Sequence, residues 1–352
     1  MKGHHPEPSV VFRRPTQKVQ HSLRTQKALR LVFALVLGVS GFGASVTSEA
    51  VAAFPGRNGL IVFPVRECPC PAPPLPLDYN LFVVAPDGSG VRLLTEGPGF
   101  DIQPAWSPDG RRIVFARGDA TRTQADIYVM DVDSGELTNL TNTPGTVDYG
   151  PAFSPDGSKI VFNSDQASPE LLPRVLRQPP EGDLYVMNAD GSNVTQLTSG
   201  PGGQNAPSWS PDGKWIAFED TQAGRIGLIR PDGTDKELLP MPVWAAELTV
   251  AGPQWSPDAK RIAFFNVQDA QNERNIWVTK ADGTSVRRLT AIDDVDDASP
   301  TWSPDGRYIS FVRGIPGSVY RLCRMRSDGS GRVTLIDLDL QSDTAPDWGP
   351  RS

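Results

Sequence analysis

The sequence PAWSPDGRRIVF, from Pro104 to Phe115, recurs along the chain with few changes. Four more complete copies are PAFSPDGSKIVF at 151–162, PSWSPDGKWIAF at 207–218, PQWSPDAKRIAF at 253–264 and PTWSPDGRYISF at 300–311. A sixth copy is divided between the chain ends: PDWGPRS stands at 346–352, and NGLIVF at 58–63 supplies the missing second half. A closed ring of repeats needs such a division, because the first segment of the chain completes the last unit.

The spacing of the repeats indicates the architecture. Their aromatic residues are 47, 56, 46, 47 and 46 residues apart, at Trp106, Phe153, Trp209, Trp255, Trp302 and Trp348. A period of roughly 40 to 50 residues in a strand-rich chain is typical of propeller blades. Within each period, Pro-Asp-Gly and Asp-Gly pairs supply turns between runs of alternating apolar residues, which favours antiparallel strands over helices.

Each period therefore predicts four strands. The first is the Pro-x-aromatic-Ser piece, the second is the Ile/Val-x-Phe run, and the fourth follows an Asp-Gly or Ser-Gly turn. The third strands are predicted at 81–85, 127–131, 184–188, 226–230, 276–280 and 322–326. The predicted fold class is all-β: a six-bladed β-propeller of four-stranded antiparallel blades, closed by pairing the C-terminal strand with the N-terminal blade.

The N-terminal segment predicts export. Basic residues from Arg13 to Arg30 precede the apolar run 31–46, and Ala50-Val51-Ala52 has the small-x-small form that a signal peptidase accepts. The run is shorter than the ~20 apolar residues of a membrane-spanning helix, and an uncleaved anchor is the alternative. We expect a signal peptide over 1–52, a propeller over 53–352, and a periplasmic or secreted, extracellular protein without stable membrane insertion after cleavage.

Charge and histidine content narrow the function classes. The first 52 residues hold seven Lys/Arg and two Asp/Glu, which leaves 27 basic and 39 acidic residues, a net charge of −12. Nucleic acid is therefore excluded as a partner, because phosphate binding needs a concentrated basic surface. The only histidines, His4, His5 and His21, lie in the same segment, so the mature chain has none for a catalytic triad or zinc site. We predict a protein that is not an enzyme, although a pair of carboxylates acting as acid and base stays open.

Three cysteines remain after export. Cys68 and Cys70 stand in a proline-rich loop of the first blade, and Cys323 stands in the third strand of the sixth, its neighbour once the ring closes. A disulfide from Cys323 to one of that pair would reinforce closure, provided that the Cα atoms lie close enough. The alternative is a free, partly buried Cys323.

These repeats resemble the WSPDG, or PD40, repeats of the TolB-type β-propellers, over nearly everything from Gly56 to Ser352. TolB itself has an additional α/β domain before its propeller, for which we expect no counterpart here. The resemblance implies a propeller whose channel face receives extended peptide segments of envelope and invading proteins, and in whose channel calcium can bind.

The repeats also supply a candidate site. Three residues before each repeat's proline, at the entry to the innermost strand, stand Asp101, Asp148, Gln204, Val250, Asp297 and Asp343. Since innermost strands line the channel, we expect the four carboxylates of Asp101, Asp148, Asp297 and Asp343 at one channel mouth, where they form an oxygen-only site suited to Ca²⁺. The alternative is that each caps nearby backbone amides. The aspartates of the Ser-Pro-Asp-Gly turns, by contrast, are interpreted as structural.

Long loops are predicted on the face that carries this acidic mouth. They are 64–80, 163–183 and 240–252, and the last of them contains Trp244. Loops of that length on a rigid ring usually serve recognition. We predict binding of a protein or peptide partner in the cell envelope through Asp101, Asp148, Gln204, Asp297, Asp343 and Trp244. The alternative is a carbohydrate-binding or carbohydrate-active propeller, a lyase or glycosidase, whose exposed rim aromatics would be Trp244, Tyr149 and Phe100.

Overall fold

The described part of the chain consists of short β-strands joined by tight turns. The computed structural model describes residues 56–67, 78–97, 99–119, 124–166, 182–242, 245, 248–267, 274–291, 295–314, 320–340 and 345–351. All of them lie within the compact unit Ser48–Ser352. Within these ranges no helix is long and apolar enough to cross a membrane.

Five blades are formed by strands consecutive in the chain, each blade ordered from its innermost to its outermost strand. Blade 2 contains β4 (Phe100–Trp106), β5 (Arg112–Gly118), β6 (Ala125–Asp131) and β7 (Leu137–Asn139); blade 3 contains β8 (Asp148–Phe153), β9 (Lys159–Ser164), β10 (Asp183–Asn188) and β11 (Thr195–Gln196). Blade 4 contains β12 (Gln204–Trp209), β13 (Ile216–Asp220), β14 (Arg225–Ile229) and β15 (Glu237–Leu238); blade 5 contains β16 (Thr249–Trp255), β17 (Arg261–Val267), β18 (Arg274–Lys280) and β19 (Arg287–Arg288). Blade 6 contains β20 (Asp296–Trp302), β21 (Tyr308–Gly314), β22 (Tyr320–Arg326) and β23 (Val333–Leu340).

Blade 1 is assembled from both ends of the chain. It contains β24 (Asp347–Pro350) innermost, followed by β1 (Asn58–Glu67), β2 (Asp78–Val84) and β3 (Arg92–Leu93). β24 pairs antiparallel with β1, with Trp348 opposite Ile61 and Asp347 opposite Val62. Around the ring, each innermost strand contacts the next, and β24 contacts both β20 and β4. The predicted six-bladed, four-stranded all-β fold is therefore confirmed, including the pairing that joins the chain ends.

The core lies between the blades. The phenylalanine that ends each repeat is fully buried on the second strand of its blade, at Phe63, Phe115, Phe162, Phe218, Phe264 and Phe311. These side chains belong to apolar clusters that combine neighbouring blades, such as Phe218 and Ile216 of blade 4 with Val161 and Leu184 of blade 3. Each blade therefore buries its apolar surface against its neighbours, as in other stacked repeats.

The Ser-Pro-Asp-Gly turns form the same hydrogen-bond network in every complete repeat. In blade 3, the Ser154 hydroxyl donates to the Asp156 carboxylate at 2.6 Å and accepts the backbone N–H of Lys159 at 2.9 Å. The same carboxylate oxygen accepts the Ser158 backbone N–H. The structural interpretation of these aspartates is confirmed, and the equivalent Ser-to-Asp bonds occur at Asp109, Asp212, Asp258 and Asp305.

The innermost strands are longer than the sequence predicted. β4, for example, begins at Phe100 rather than at Pro104, because a β-bulge carries the strand past the proline. Such a bulge shifts the register at the residue before the repeat's proline in each of blades 2 to 6. That residue has positive φ in each case: Gln103, Gly150, Ala206, Gly252 and Ser299. A bulge bends the strand and re-aims its side chains, and here it recurs on the strands that surround the channel.

Of the two alternatives for Cys323, a disulfide or a free thiol, the structure shows the free thiol. It is buried and free in β22, with Sγ 3.7 Å from the Thr334 hydroxyl oxygen. Cys68 and Cys70 lie outside the described residues, as does the whole predicted signal peptide.

Candidate functional site

Two of the predicted site residues are neutralised by arginine. Asp101 is 3% exposed and accepts both Nε and Nη2 of Arg117, at 2.6 and 2.7 Å. Asp297 is fully buried and accepts Nε and Nη2 of Arg313 at 2.7 and 2.8 Å. Each arginine lies opposite its aspartate on the neighbouring strand, and this bidentate geometry satisfies the carboxylate within its own blade.

Asp148 and Gln204 hold the same strand position without an arginine. Asp148 is fully buried, and its Oδ2 accepts the Thr143 hydroxyl at 2.7 Å. Burial raises the pKa of Asp148, although hydrogen bonds from the nearby Ser164, Thr143 and Thr141 hydroxyls oppose that shift. Gln204 is 1% exposed, and its Oε1 has no hydrogen-bond partner among the described residues.

This arrangement does not fit the expected calcium site. Both carboxylate oxygens of Asp101 and of Asp297 accept hydrogen bonds from an arginine. The repulsion among the four carboxylates, which favoured a divalent cation, is therefore offset at two of the four positions. Among the described residues, no three His, Cys, Asp or Glu side chains are placed to hold a metal ion. Asp343, the fourth predicted ligand, lies outside those residues, and Ca²⁺ binding stays a prediction.

The rim differs from the prediction where it is described. Phe100 and Tyr149, proposed as exposed sugar-binding aromatics, are both 6% exposed because they pack into the cluster between blades 2 and 3. The Tyr149 hydroxyl also donates to Asn205 Oδ1 in blade 4 at 2.8 Å. Trp244 and most of the loop segments 64–80 and 163–183 lie outside the described residues.

A cavity opens among the innermost strands. Its volume is about 120 Å³, and its mouth is open to solvent. Its walls are mostly prolines, alanines and aromatic side chains, with the polar residues Gln103, Ser208, Gln254 and Asp347. Blades 1 to 5 contribute the wall: Gln103, Pro104, Ala105, Trp106, Gly150, Pro151, Ala152, Phe153, Ala206, Pro207, Ser208, Trp209, Gln254, Ala345, Pro346 and Asp347. A largely apolar concave site with a few polar groups is the usual form of a binding pocket.

Sequence reasoning missed Asp347, the one ionisable side chain among the wall residues that the structure describes. Its Oδ2 accepts the backbone N–H of Trp106 in blade 2 at 2.8 Å, and its Oδ1 accepts the Thr301 hydroxyl of blade 6 at 3.2 Å. Burial outweighs these hydrogen bonds and raises the pKa of Asp347 to about 6. An alignment of the repeats would have found it, since the residue between the proline and the aromatic is uncharged in the five complete copies: Ala105, Ala152, Ser208, Gln254 and Thr301.

Glu219 is a second missed group, at the junction of blades 4 and 5. It is half-buried on β13, opposite Asn205, and its carboxylate accepts a hydrogen bond from the backbone of Gly252. Burial raises its pKa to about 7. The equivalent second-strand residue of blade 3, Asn163, bonds the Gln204 carbonyl of blade 4.

The family model of the TolB β-propeller domain matches residues 80–172 and 170–352, which together are most of the chain. The chain belongs to the TolB β-propeller family. The predicted resemblance is confirmed, and the family's repeats correspond to the blades described above.

Curated relatives of this TolB-family chain match only part of it. An uncharacterised protein of Agrobacterium fabrum is 32% identical over 177 residues, which cover 42% of this chain and 60% of that protein. A TolB homologue of Chlorobium luteolum is 30% identical over 145 residues, covering 41% and 29% of the two chains. The chain thus spans less than two thirds of the length of these curated relatives.

Solved structures share the fold at low identity. TolB of Acinetobacter baumannii superposes with a TM-score of 0.67 at 23% identity, over 86% of this chain and 70% of that one. A putative TolB of Agrobacterium tumefaciens gives 0.61 at 20%, over 82% and 92%. Hydrazine synthase of Kuenenia stuttgartiensis gives 0.68 at 15%, over 88% and 51%. Because this architecture also occurs in an enzyme, the function must be argued from the site.

Proposed function

We propose that this TolB-family propeller is an exported binding protein that takes a protein or peptide partner at its channel face. The observation that carries the proposal is the cavity among the innermost strands, whose wall combines Trp106, Phe153 and Trp209 with prolines. Trp106, Phe153 and Trp209 are themselves 5 to 8% exposed, and the prolines and alanines beside them lose no side-chain entropy on binding.

Binding is favoured over catalysis by the content of the same wall. Among the described residues of this wall, Asp347 is the only one with an ionisable side chain, whereas acid-base hydrolysis of a glycoside uses two carboxyl groups on either side of the bond. Both oxygens of each buried aspartate in blades 2 and 6 are already bonded to an arginine, so neither carboxylate is free to contact a substrate.

Location outside the cytoplasm is part of the proposal. It is supported by the basic, apolar and small-residue segments in order over the first 52 residues. Intact-mass measurement on protein from the native host should give a chain that begins near Ala53. Recovery of the full-length chain in the membrane fraction alone would contradict export.

Site-specific photo-crosslinking in the native host tests the binding proposal. A photoreactive residue at Gln254 is inside the cavity, whereas one at Val194, 46% exposed and directly before the outermost strand of blade 3, is a matched position outside the cavity wall. We expect the Gln254 position to yield one dominant protein adduct that the Val194 position does not yield. Equal adduct patterns at both positions, or none at Gln254, would contradict a partner at the channel.

The carbohydrate alternative is tested by glycan-array binding of the same protein. Two of the three aromatic residues proposed for sugar binding, Phe100 and Tyr149, are buried. Array binding that survives filling of the cavity would favour a sugar site elsewhere on the ring.

A further inference from the structure

The closing repeat differs in charge from the other five at a single position in the channel wall. Asp347 stands where Ala105, Ala152, Ser208, Gln254 and Thr301 stand in the complete repeats. Of these positions, Ser208 makes a similar bond, accepting the Trp255 backbone N–H at 3.3 Å between blades 4 and 5. A neutral hydroxyl can therefore fill the structural role at this position, and the charge of Asp347 needs a separate explanation.

Among the described residues, the charge of Asp347 has no protein counter-ion. Its hydrogen-bond donors, the Trp106 and Trp348 backbone N–H groups and the Thr301 hydroxyl, are neutral. In the described part of the chain no Lys or Arg forms an ion pair with it, whereas Asp101 and Asp297 each have a bidentate arginine. The raised pKa, about 6, has the same cause: burial disfavours the charged form, and no cation compensates.

The surroundings of Asp347 suit an organic cation. The same wall includes the rings of Trp106 and Trp209, which are 8% and 5% exposed, and aromatic rings attract ammonium and guanidinium groups by cation–π contact. The Phe153 ring already has the Arg112 guanidinium 5.1 Å from its centroid. Prolines and alanines accept the apolar stem of such a side chain.

We propose that the channel cavity binds the cationic end of a partner's lysine or arginine side chain against Asp347. This inference rests on the proposed function and specifies which chemical group of the partner enters the channel. The incoming charge replaces the missing counter-ion, and the aromatic and proline walls exclude water from the pair. The carboxylate keeps its bonds to Trp106 and Thr301, so binding also holds blades 6, 1 and 2 together.

Two small probes test the charge requirement on the full-length mature protein. N-acetyl-lysine amide carries the ammonium group, and N-acetyl-norleucine amide is its neutral counterpart of similar shape. We expect the wild type to bind the lysine probe at least about tenfold more tightly than the norleucine probe. Calorimetry or intrinsic tryptophan fluorescence measures both affinities. Lowering the pH from 7.5 to 5 should weaken the binding of the lysine probe by about tenfold, because a carboxyl with a pKa near 6 is mostly protonated at pH 5.

Variants assign the effect to Asp347. Asp347→Asn should reduce lysine-probe affinity to that of the norleucine probe, whereas Asp337→Asn removes the same charge from an exposed strand of blade 6 and should leave it unchanged. Should Asp347→Asn fail to fold, Gln254→Lys places a competing ammonium group in the cavity without removing the carboxylate, and should abolish the preference for lysine.

Equal affinity of the two probes for the wild type, no binding of either, or an unchanged preference in Asp347→Asn or Gln254→Lys would overturn the inference. The proposed function fails separately, when no partner is cross-linked from the channel position.

Discussion

At the scale of single residues, arginine determines which buried carboxylates are neutralised. Asp297 and Asp101 have arginine partners two positions beyond the buried phenylalanine of the second strand. Arg313 and Arg321 lie directly opposite each other on β21 and β22. Arg313 pairs with the buried Asp297, whereas Arg321 pairs with Asp337, whose side chain is 62% exposed. Blade 6 thus contains a buried and an exposed ion pair in adjacent strands.

This pair of arginines makes a controlled prediction. Arg313→Met should lower the free energy of unfolding by about 3 to 5 kcal/mol, because Asp297 would be left as an uncompensated buried charge. Arg321→Met should lower it by less than about 1 kcal/mol, because its partner is solvated. Chemical denaturation of both variants measures the difference. Equal effects of the two substitutions would show that burial of Asp297 does not govern its energetics.

Glu219 provides a prediction of pH dependence. Its pKa is raised from 4.5 to about 7 by burial, so the folded protein binds the proton more tightly than the unfolded chain. The contribution of Glu219 to stability is therefore greatest below about pH 4.5 and is lost as the pH rises through about 7. Glu219→Gln should gain stability relative to the wild type between pH 5 and pH 8, measured by denaturation at both. Glu237→Gln, on an exposed outer strand, is the control. A difference between Glu219→Gln and the wild type that is constant with pH would be inconsistent with a buried, titrating Glu219.

At the scale of elements, a turn of one kind joins the first and second strands in each of blades 2 to 6. Its last residue has φ near +70° and is glycine in four complete repeats: Gly110, Gly157, Gly213 and Gly306. Blade 5 has Ala259 there, at φ +56°. An alanine in this left-handed region carries a steric penalty that glycine avoids.

Replacing that alanine should stabilise the protein. We expect Ala259→Gly to raise the free energy of unfolding by about 0.5 to 1 kcal/mol, because relief of the left-handed strain outweighs the added flexibility of the unfolded chain. Gly306→Ala, at the same position of blade 6, is the reciprocal variant and should destabilise the protein. A lower melting temperature of Ala259→Gly than of the wild type would contradict this account.

The turns could be predicted from the sequence and the partners of the predicted site residues were not, and the range of the contacts involved explains both results. The turns, the buried phenylalanines and the order of strands were predictable, because they depend on contacts within a few residues and on a period that repeats. The partners of Asp101 and Asp297 depend on strand register, which joins residues 16 apart. Aligned repeats do contain that signal, since the residue 16 positions on is Arg in blades 2 and 6 but Ser164 in blade 3. Asp347 was not recognised because the predicted site was built from a position that is acidic in several repeats, whereas the position of Asp347 is acidic in one repeat alone.

At the scale of the whole molecule, seven C-terminal residues complete the ring. They place Trp348, fully buried, against β1 and bring Asp347 between blades 6 and 2. Gly349 is packed against the Trp106 ring so closely that a Cβ atom would lie within 2.6 Å of it. The closing strand therefore contacts both neighbouring blades as well as its own.

Deleting residues 346–352 should lower the free energy of unfolding by several kcal/mol, since loss of one buried tryptophan alone costs about 3 to 5 kcal/mol. Deleting only Arg351 and Ser352 removes a single backbone hydrogen bond described here, from Arg351 N–H to the Arg57 carbonyl, and serves as the control. Denaturation curves of the two truncations give the comparison. A long truncation as stable as the short one would mean that the ring does not depend on closure at β24.

The central claim is that a partner occupies the channel, and filling the cavity tests it most directly. Ala345→Trp adds a bulky side chain to the wall, and Gln103 in blade 2 shows that a longer side chain is accepted at the equivalent position. Val194→Trp places the same side chain at an exposed position directly before the outermost strand of blade 3. With both variants shown to be folded, the dissociation constant for the partner cross-linked at Gln254 should rise at least about tenfold in Ala345→Trp, equivalent to about 1.4 kcal/mol, and stay unchanged in Val194→Trp. Equal affinity of Ala345→Trp and the wild type for that partner would contradict binding in the channel.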